Sequence, residues 1–389
     1  MAQIDAFFSM MQELGASDLH LSSGSQPIIR LHGILQRVKF KVLEHEELKQ
    51  LLYEITPEPK IKEFEETGDV DFAYAVPGVS RYRVNFFLQS RGVAAAFRTI
   101  PEKVLSLDDL GMPPVLKDFC KLPKGLVLVT GPTGSGKSTT LAAMVDYINT
   151  MRQEHILTIE DPIEYQFRNK RSIVNQREVG SDTASLQIAL KNALRQAPDV
   201  ILIGEIRDRE TMSSAMGFAQ SGHLCLATLH ANNSYHALNR ILSFFPEEIR
   251  PTMLGELSAA LKGVISQRLV RTVDGGRMPA VEVMLNTKLI ADLIERGNFS
   301  GVKEAMEKSM AEGSQTFEEA LAQLVRSGRI DRAEALAFAD SPTNLMWRLE
   351  NDVVKASHAA PSSQFAELAT PGEDDMPSFT EIMLEVKPN

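Results

Sequence analysis

Several things are scarce in this chain. Of its 389 residues only two are cysteines, Cys120 and Cys225, and one is tryptophan. Two thiols cannot build a disulfide framework or a four-thiolate zinc site, and a reducing cytosol is the expected home. No apolar run approaches the roughly 20 residues that cross a membrane as a helix. The first twenty-nine residues hold no Lys or Arg, so the basic leader of a secretory signal is not expected. Basic charge is also in deficit: Lys+Arg 41 against Asp+Glu 51 gives a net charge of −10. Coating nucleic acid or an anionic membrane needs a broad positive field, so neither is expected as the main task.

What is present suffices for two folded units. Domains run about 100–200 residues, and a 43% hydrophobic composition supplies their cores. Residues 1–100 read as a small α+β domain. Ile4, Phe7, Phe8, Met11 and Leu14 keep helical spacing up to Gly15. Val70, Phe72, Tyr74 and Val76 alternate as a strand does. Pro77 and Gly78 then turn the chain into a second strand with Tyr82, Val84, Phe86 and Leu88. A third strand is expected over 93–100. Pro101, Pro113, Pro114 and Pro123 mark a linker with a connecting helix over 101–124.

From Gly125 the pattern changes. Four short apolar runs, LVLV at 126–129, ILTI at 156–159, VILI at 200–203 and LCLA at 224–227, suit strands buried on both faces of a parallel sheet. Helical stretches separate most of them, which predicts an α/β doubly wound domain over 125–350. Beyond about 271 the chain reads as mostly helical, with caps or stops at Asn286, Gly297, Gly313 and Gly328 and a helical C-terminal part over about 286–350. Residues 351–389 lack a sustained period and read as a disordered acidic tail. From Asp352 onward there are seven acids and two bases, so the tail carries −5, half of the whole imbalance. Its last apolar patch, 378–386, suits a short partner-binding segment or an inert end.

Residues 131–138, GPTGSGKS, fit the G-x-x-x-x-G-K-[ST] phosphate loop, directly after the first buried strand and before a helical run. Glycines let successive backbone N–H groups curl round phosphates at a helix N-terminus, where the dipole favours negative charge. Gly131, Pro132, Thr133, Gly134, Ser135, Gly136, Lys137, Ser138 and Thr139 are therefore expected to hold the nucleotide. Lys137 would reach the outer phosphates and the Ser138 hydroxyl would ligate Mg²⁺. Such an enzyme also needs one carboxylate on the metal's water and one to activate the attacking water. Two acidic clusters follow buried strands, Glu160, Asp161 and Glu164 after the second run and Glu205 and Asp208 after the third. Spacing does not choose the base among them. His230 ends the fourth run, where a phosphate sensor or a structural histidine would both fit.

Taken together these segments resemble the ring-forming secretion and pilus ATPases, specifically the type IV pilus retraction ATPases of the PilT/PilU group. Residues 156–165 resemble the family's acidic box, 204–208 its Walker B with a glutamate, and 222–230 its histidine box. Residues 17–21 and 174–178 are also characteristic. The resemblance implies a RecA-like core with a PAS-like N-terminal domain, binding ATP and Mg²⁺. It assigns Glu164 as general base, Glu205 as ligand of a Mg²⁺-bound water and His230 as a contact of the γ-phosphate. N-terminal arginines of such rings approach a nucleotide, and Arg81, Arg83, Arg91 and Arg98 are the candidates here, with Arg83 and Arg98 preferred. Residues 230–240 (HANNSYHALNR) and 289–296 (LIADLIER) look more like the accessory PilU type. A homo-hexamer at the cytoplasmic face of the inner membrane is implied, with the principal retraction ATPase and a membrane platform protein as partners and no nucleic acid. The alternatives are a type II secretion or pilus assembly motor, disfavoured by the missing cysteine cluster, a DNA translocase, and a regulatory clamp.

Overall fold

The computed structural model describes residues 2–31, 33–100, 103–308 and 311–357, arranged around two sheets. Helix α1 (Asp5–Leu14) keeps the expected spacing and stops at Gly15, whose left-handed φ of 69° closes the last turn. Strands β1 (Asp18–Ser22), β2 (Ile28–Leu31) and β3 (Ile34–Arg37) precede helices α2 (His45–Tyr53) and α3 (Glu58–Thr67). Strands β4 (Asp69–Val76), β5 (Ser80–Gln89) and β6 (Gly92–Ile100) complete an antiparallel sheet ordered β3-β2-β1-β6-β5-β4. The β4–β5 hairpin turns at Pro77 and Gly78, with Val76 opposite Ser80. Strand alternation sends Tyr82, Val84 and Phe86 into a core with Phe8 and Phe97, and leaves Arg81 and Arg83 on the other face.

Helix α4 (Val115–Lys121) sits in the connecting segment. The second sheet is built from β7 (Gly125–Thr130), α5 (Lys137–Met151), β8 (His155–Glu160), β9 (Ile173–Glu178), α6 (Leu186–Ala193), β10 (Val200–Ile203), α7 (Arg209–Gln220) and β11 (Leu224–Leu229). Then follow α8 (Ser234–Ser243), α9 (Arg250–Ala260), β12 (Leu261–Arg271) and β13 (Arg277–Leu285). The order is β13-β12-β7-β11-β10-β8-β9, parallel throughout except for β13, which runs antiparallel to β12. The four expected apolar runs are β7, β8, β10 and β11, which lie side by side. Leu126 and Leu128 face one core with Met212 and Leu257, while Val127 and Val129 face another with Phe119 and Met144. Helices cover both faces, which is why the inner positions of these strands are mostly apolar, with Thr130, Thr158 and Thr228 as buried exceptions.

Three expectations need correction. Residues 277–285 form a strand, so the mostly helical stretch expected beyond about 271 starts only after 285. Pairing with β12 along its whole length from Arg271 to Gly263 overrides the strand-breaking tendency of Pro279. Asn286 is not a cap: its side chain donates to the Ser258 and Leu261 carbonyls, and Thr287 caps the following helix. That helix, α10 (Lys288–Glu295), leads to α11 (Phe299–Glu307), α12 (Phe317–Arg326), α13 (Arg332–Phe338) and α14 (Pro342–Ser357). Helix α14 crosses the expected boundary at 351, and the rest of the expected tail, with its patch at 378–386, lies outside the described residues. Among the described residues no helix is long and apolar enough to cross a membrane.

Candidate active site

Parallel strands bring their C-terminal ends to one edge of the sheet, and loops from adjacent ends face one another there. After β7 the chain arches through residues 131–136 into α5. Pro132, Thr133 and Gly134 form the exposed crest, while Gly131 and Ser135 are buried beneath it. Gly131 has a φ of 150°, and a Cβ there would lie 2.4 Å from both the Gln267 carbonyl oxygen and Ser135 Oγ. The carbonyl belongs to β12 backbone and cannot yield. Gly131→Ala is therefore expected to lower the melting temperature and to abolish nucleotide binding, measured by thermal unfolding with and without ADP. Gly136, at φ 89°, caps α5 in the left-handed region, and Gln267 Nε2 braces the loop by donating to the Ser135 carbonyl at 2.7 Å. Ser135 Oγ itself is buried without a hydrogen-bond partner among the described residues. A phosphate oxygen is the kind of acceptor that such an orphaned hydroxyl fits.

Lys137 opens α5 and folds its ammonium over the loop, donating to the Gly131 and Pro132 carbonyls at 3.0 Å each. The same Nζ lies 3.5 Å from His230 Nδ1, His230 Nε2 lies 3.2 Å from Glu205 Oε1, and Arg207 Nε donates to Glu205 Oε2 at 2.7 Å. These contacts join the ends of β7, β11 and β10. Burial holds the Lys137 pKa below its ordinary value, against the opposing pull of Glu205 and Glu164. Arg207 also lies 3.7 Å from Asp161, and its own pKa is raised, chiefly by the hydrogen bond to Glu205. Spacing alone gives Arg207 no role, although it stands within the motif that points to Glu205.

The acidic box divides into distinct environments. Glu160 accepts from Thr158 Oγ1 at 2.7 Å and Gln176 Nε2 at 3.2 Å, and burial raises its pKa. Glu164 is exposed and within electrostatic range of Lys137. The neighbouring Tyr165 hydroxyl lies 2.9 Å from Thr139 Oγ1, which ties the box to the first turn of α5. Buried Glu178 pins the box from below, accepting from the Ile163 N–H at 3.0 Å and lying 3.4 Å from Arg81 Nη2. Arg81 thus reaches the second sheet within one chain. Arg83 and Arg98 instead find partners on their own sheet, Asp71 at 3.8 Å and Asp18 at 2.8 Å. Asp208 caps α7 through the Thr211 N–H, and His223 precedes β11 at the end opposite His230.

A buried polar series that sequence reasoning missed runs beneath the loop. Thr130 Oγ1 donates to Ser266 Oγ at 2.9 Å, and Ser266 Oγ lies 3.4 Å from Ser234 Oγ. Ser234 gives both its hydroxyl and its backbone N–H to Glu282 Oε1, at 2.7 and 2.8 Å. No spacing rule could have found it, because its members come from four separate elements.

The residues fit a magnesium ion accompanying a nucleotide. Ser138 and Glu205, both half-buried, offer the hard oxygen donors Mg²⁺ takes. Among the described residues no cluster of three or more His, Cys, Asp or Glu forms a protein cage for a metal. Mg²⁺ commonly relies on one or two protein groups together with waters and substrate phosphates.

A phosphate loop on this mixed α/β sheet, facing glutamates and a histidine at neighbouring strand ends, defines a P-loop ATPase. The chain belongs to the family described as Type II/IV secretion system protein, whose model matches residues 2–360. It is 47% identical over 330 residues to the type IV pilus retraction ATPase PilT of Pseudomonas aeruginosa, covering 85% of this chain and 96% of that one. It is 44% identical over 344 residues to the type IV pilus ATPase PilU of the same organism, covering 88% and 90%. The crystal structure of the pilus retraction motor PilT with bound ADP superposes with a TM-score of 0.82 at 42% identity, over 88% of this chain and 98% of that one.

Proposed function

We propose that this chain is a motor coupling Mg²⁺-dependent ATP hydrolysis to retraction of a type IV pilus, as an accessory partner of the principal retraction ATPase. The observation that carries the reading is the contact series from Lys137 through His230 to Glu205 and Arg207. In this reading the loop N–H groups and the first turn of α5 bind phosphate oxygens, and the Lys137 ammonium neutralises charge on the outer phosphates. Glu164 takes a proton from the attacking water, and His230 touches the γ-phosphate. Bound Mg²⁺, held by Ser138 Oγ and through water by Glu205, would supply charge neutralisation between the outer phosphates. Arg83 and Arg98 would serve a neighbouring copy's nucleotide in a ring of six. A RecA-like core and a PAS-like N-terminal domain, divided at 101–124, complete this view. Its place is the cytoplasmic face of the inner membrane, against a platform protein at the pilus base. The accessory role is favoured by residues 230–240 and 289–296 rather than by overall identity, which is slightly higher to PilT than to PilU.

The test has two arms. Purified full-length protein is expected to release phosphate from ATP, and EDTA is expected to stop it. In cells lacking its gene, restoration of twitching is expected to require the principal retraction ATPase as well. Twitching restored without that partner would refute the accessory role, and turnover unaffected by EDTA would refute the metal-dependent mechanism.

A further inference from the structure

Residues 230–234 carry the histidine of the contact series, and the C-terminal part of the chain fastens them from behind. Arg268, on β12, is nearly enclosed, with 13% of its side chain exposed, and its guanidinium lies 3.9 Å from the Phe317 ring centroid. It donates to the Asn232 carbonyl at 3.1 Å, to the Phe338 carbonyl and to Asp340 Oδ1. Asp340, in the short connection between α13 and α14, accepts from Asn233 Nδ2 through its other oxygen at 2.8 Å. Asn233 Oδ1 meanwhile caps α8 by accepting from the His236 N–H at 2.9 Å. One carboxylate therefore grips both an arginine from the sheet and the residue that starts α8. The planar guanidinium has fixed donor directions, so its acceptors are held at set angles. Shifting the α13–α14 connection must drag Asn232 and Asn233 along or separate a largely dehydrated ion pair, and removing one partner of such a pair leaves the other uncompensated.

We propose that Arg268 and Asp340 are positioning residues that couple helices α13 and α14 to His230. The phosphate end of the site and the last described helix then report on one another. This rests on the reading of His230 as a phosphate contact. Coupling of this kind is reciprocal: nucleotide moves α14, and a partner seated on α14 changes what His230 does. The chain carries its own reporter, since its single tryptophan, Trp347, lies on α14 and is 64% exposed.

The test uses the full-length protein and Asp340→Ala, with Asp340→Asn as the milder variant that keeps an accepting oxygen. Asp340→Ala is expected to lower kcat about tenfold, because displacement of a positioned group costs rate. Affinity for a fluorescent ADP analogue should stay within about twofold, since the groups that hold the loop are untouched. Amide exchange over 230–236 should accelerate, and the change in Trp347 emission on adding nucleotide should vanish, with Asp340→Asn intermediate in each. Unchanged kcat and exchange in a folded Asp340→Ala would overturn the proposal. So would a joint loss of kcat, ADP affinity and melting temperature, which would make the pair merely structural. Were the wild-type protein to hydrolyse no ATP, the motor reading would fail by itself. Exchange over 230–236 and the Trp347 response to ADP would then decide the coupling, acceleration supporting it and wild-type behaviour refuting it.

Discussion

Lys137→Ala is expected to lower ATP turnover by about 10²–10³, the usual cost of removing one preorganised charge from a reacting site. The expectation follows from how the side chain is held. Lys137 is buried, its ammonium is spread over two loop carbonyls and a histidine, and burial pulls its pKa down. A partly dehydrated cation interacts with phosphate far more strongly than one in water, so its loss is felt more. Alanine also leaves the Gly131 and Pro132 carbonyls without that donor, so ADP affinity should weaken together with turnover. Phosphate release at saturating ATP and titration with a fluorescent ADP analogue measure the two effects. Turnover within about threefold of wild type would sink the assignment of the loop as the catalytic nucleotide site.

How much of this was legible in the sequence depends on how local each determinant is. The four central strands announced themselves because burial on both faces demands apolar runs, and β7, β8, β10 and β11 are each built round one, interrupted only by Thr158 in β8. The hairpin of β4 and β5 showed through its period of two and its Pro77-Gly78 turn. Strands β1, β2 and β3, four or five residues each, are too short to display a period, and β3 is exposed at every position. Strand β13 hid for another reason: Glu282 interrupts its apolar residues, yet it is buried with burial raising its pKa and with Ser234 as its hydrogen-bond donor.

The candidate site was legible to the same extent and no further. A loop motif and acids after strands are local patterns, so Lys137, Glu164, Glu205 and His230 could be named in advance. Their order of contact could not, since it depends on β11 and β10 lying next to β7 in that sequence. The bracing groups escaped altogether. Gln267, Arg268, Glu282 and Asp340 hold functional candidates in place from distant parts of the chain, and none sits at a spacing that marks it, while Arg207 lies inside the motif and only its contacts with Glu205 and Asp161 reveal its part. Arg81 shows the converse: it is one of four similar arginines in the sequence, and only the meeting of two sheets separates it from Arg83 and Arg98.

The carboxylates make the sharpest comparison. A general base needs accessible lone pairs near the reacting water, and removing one typically costs about 10²–10⁴ in rate. Glu160 already accepts from Thr158 and Gln176, and burial raises its pKa, which suits a structural acid. Glu205 is engaged by His230 and Arg207. Glu164 is exposed, acts on Lys137 electrostatically, and has no hydrogen bond to its carboxylate among the described residues. Glu164→Gln is therefore expected to lower kcat by about 10²–10⁴ while ATP still binds. Glu205→Gln should also impair turnover, and should raise the Mg²⁺ concentration needed for half-maximal activity. Glu160→Gln should leave turnover within about threefold, because the amide oxygen still accepts from Thr158. Its signature lies in stability instead. An acid whose folded pKa is raised loses stability as pH climbs towards that value, so Glu160→Gln should gain on wild type as pH rises above the ordinary carboxylate range. Melting curves across pH and steady-state kinetics on the three variants separate the roles, and a Glu160→Gln protein that binds ATP without turning it over would move the base from Glu164 to Glu160.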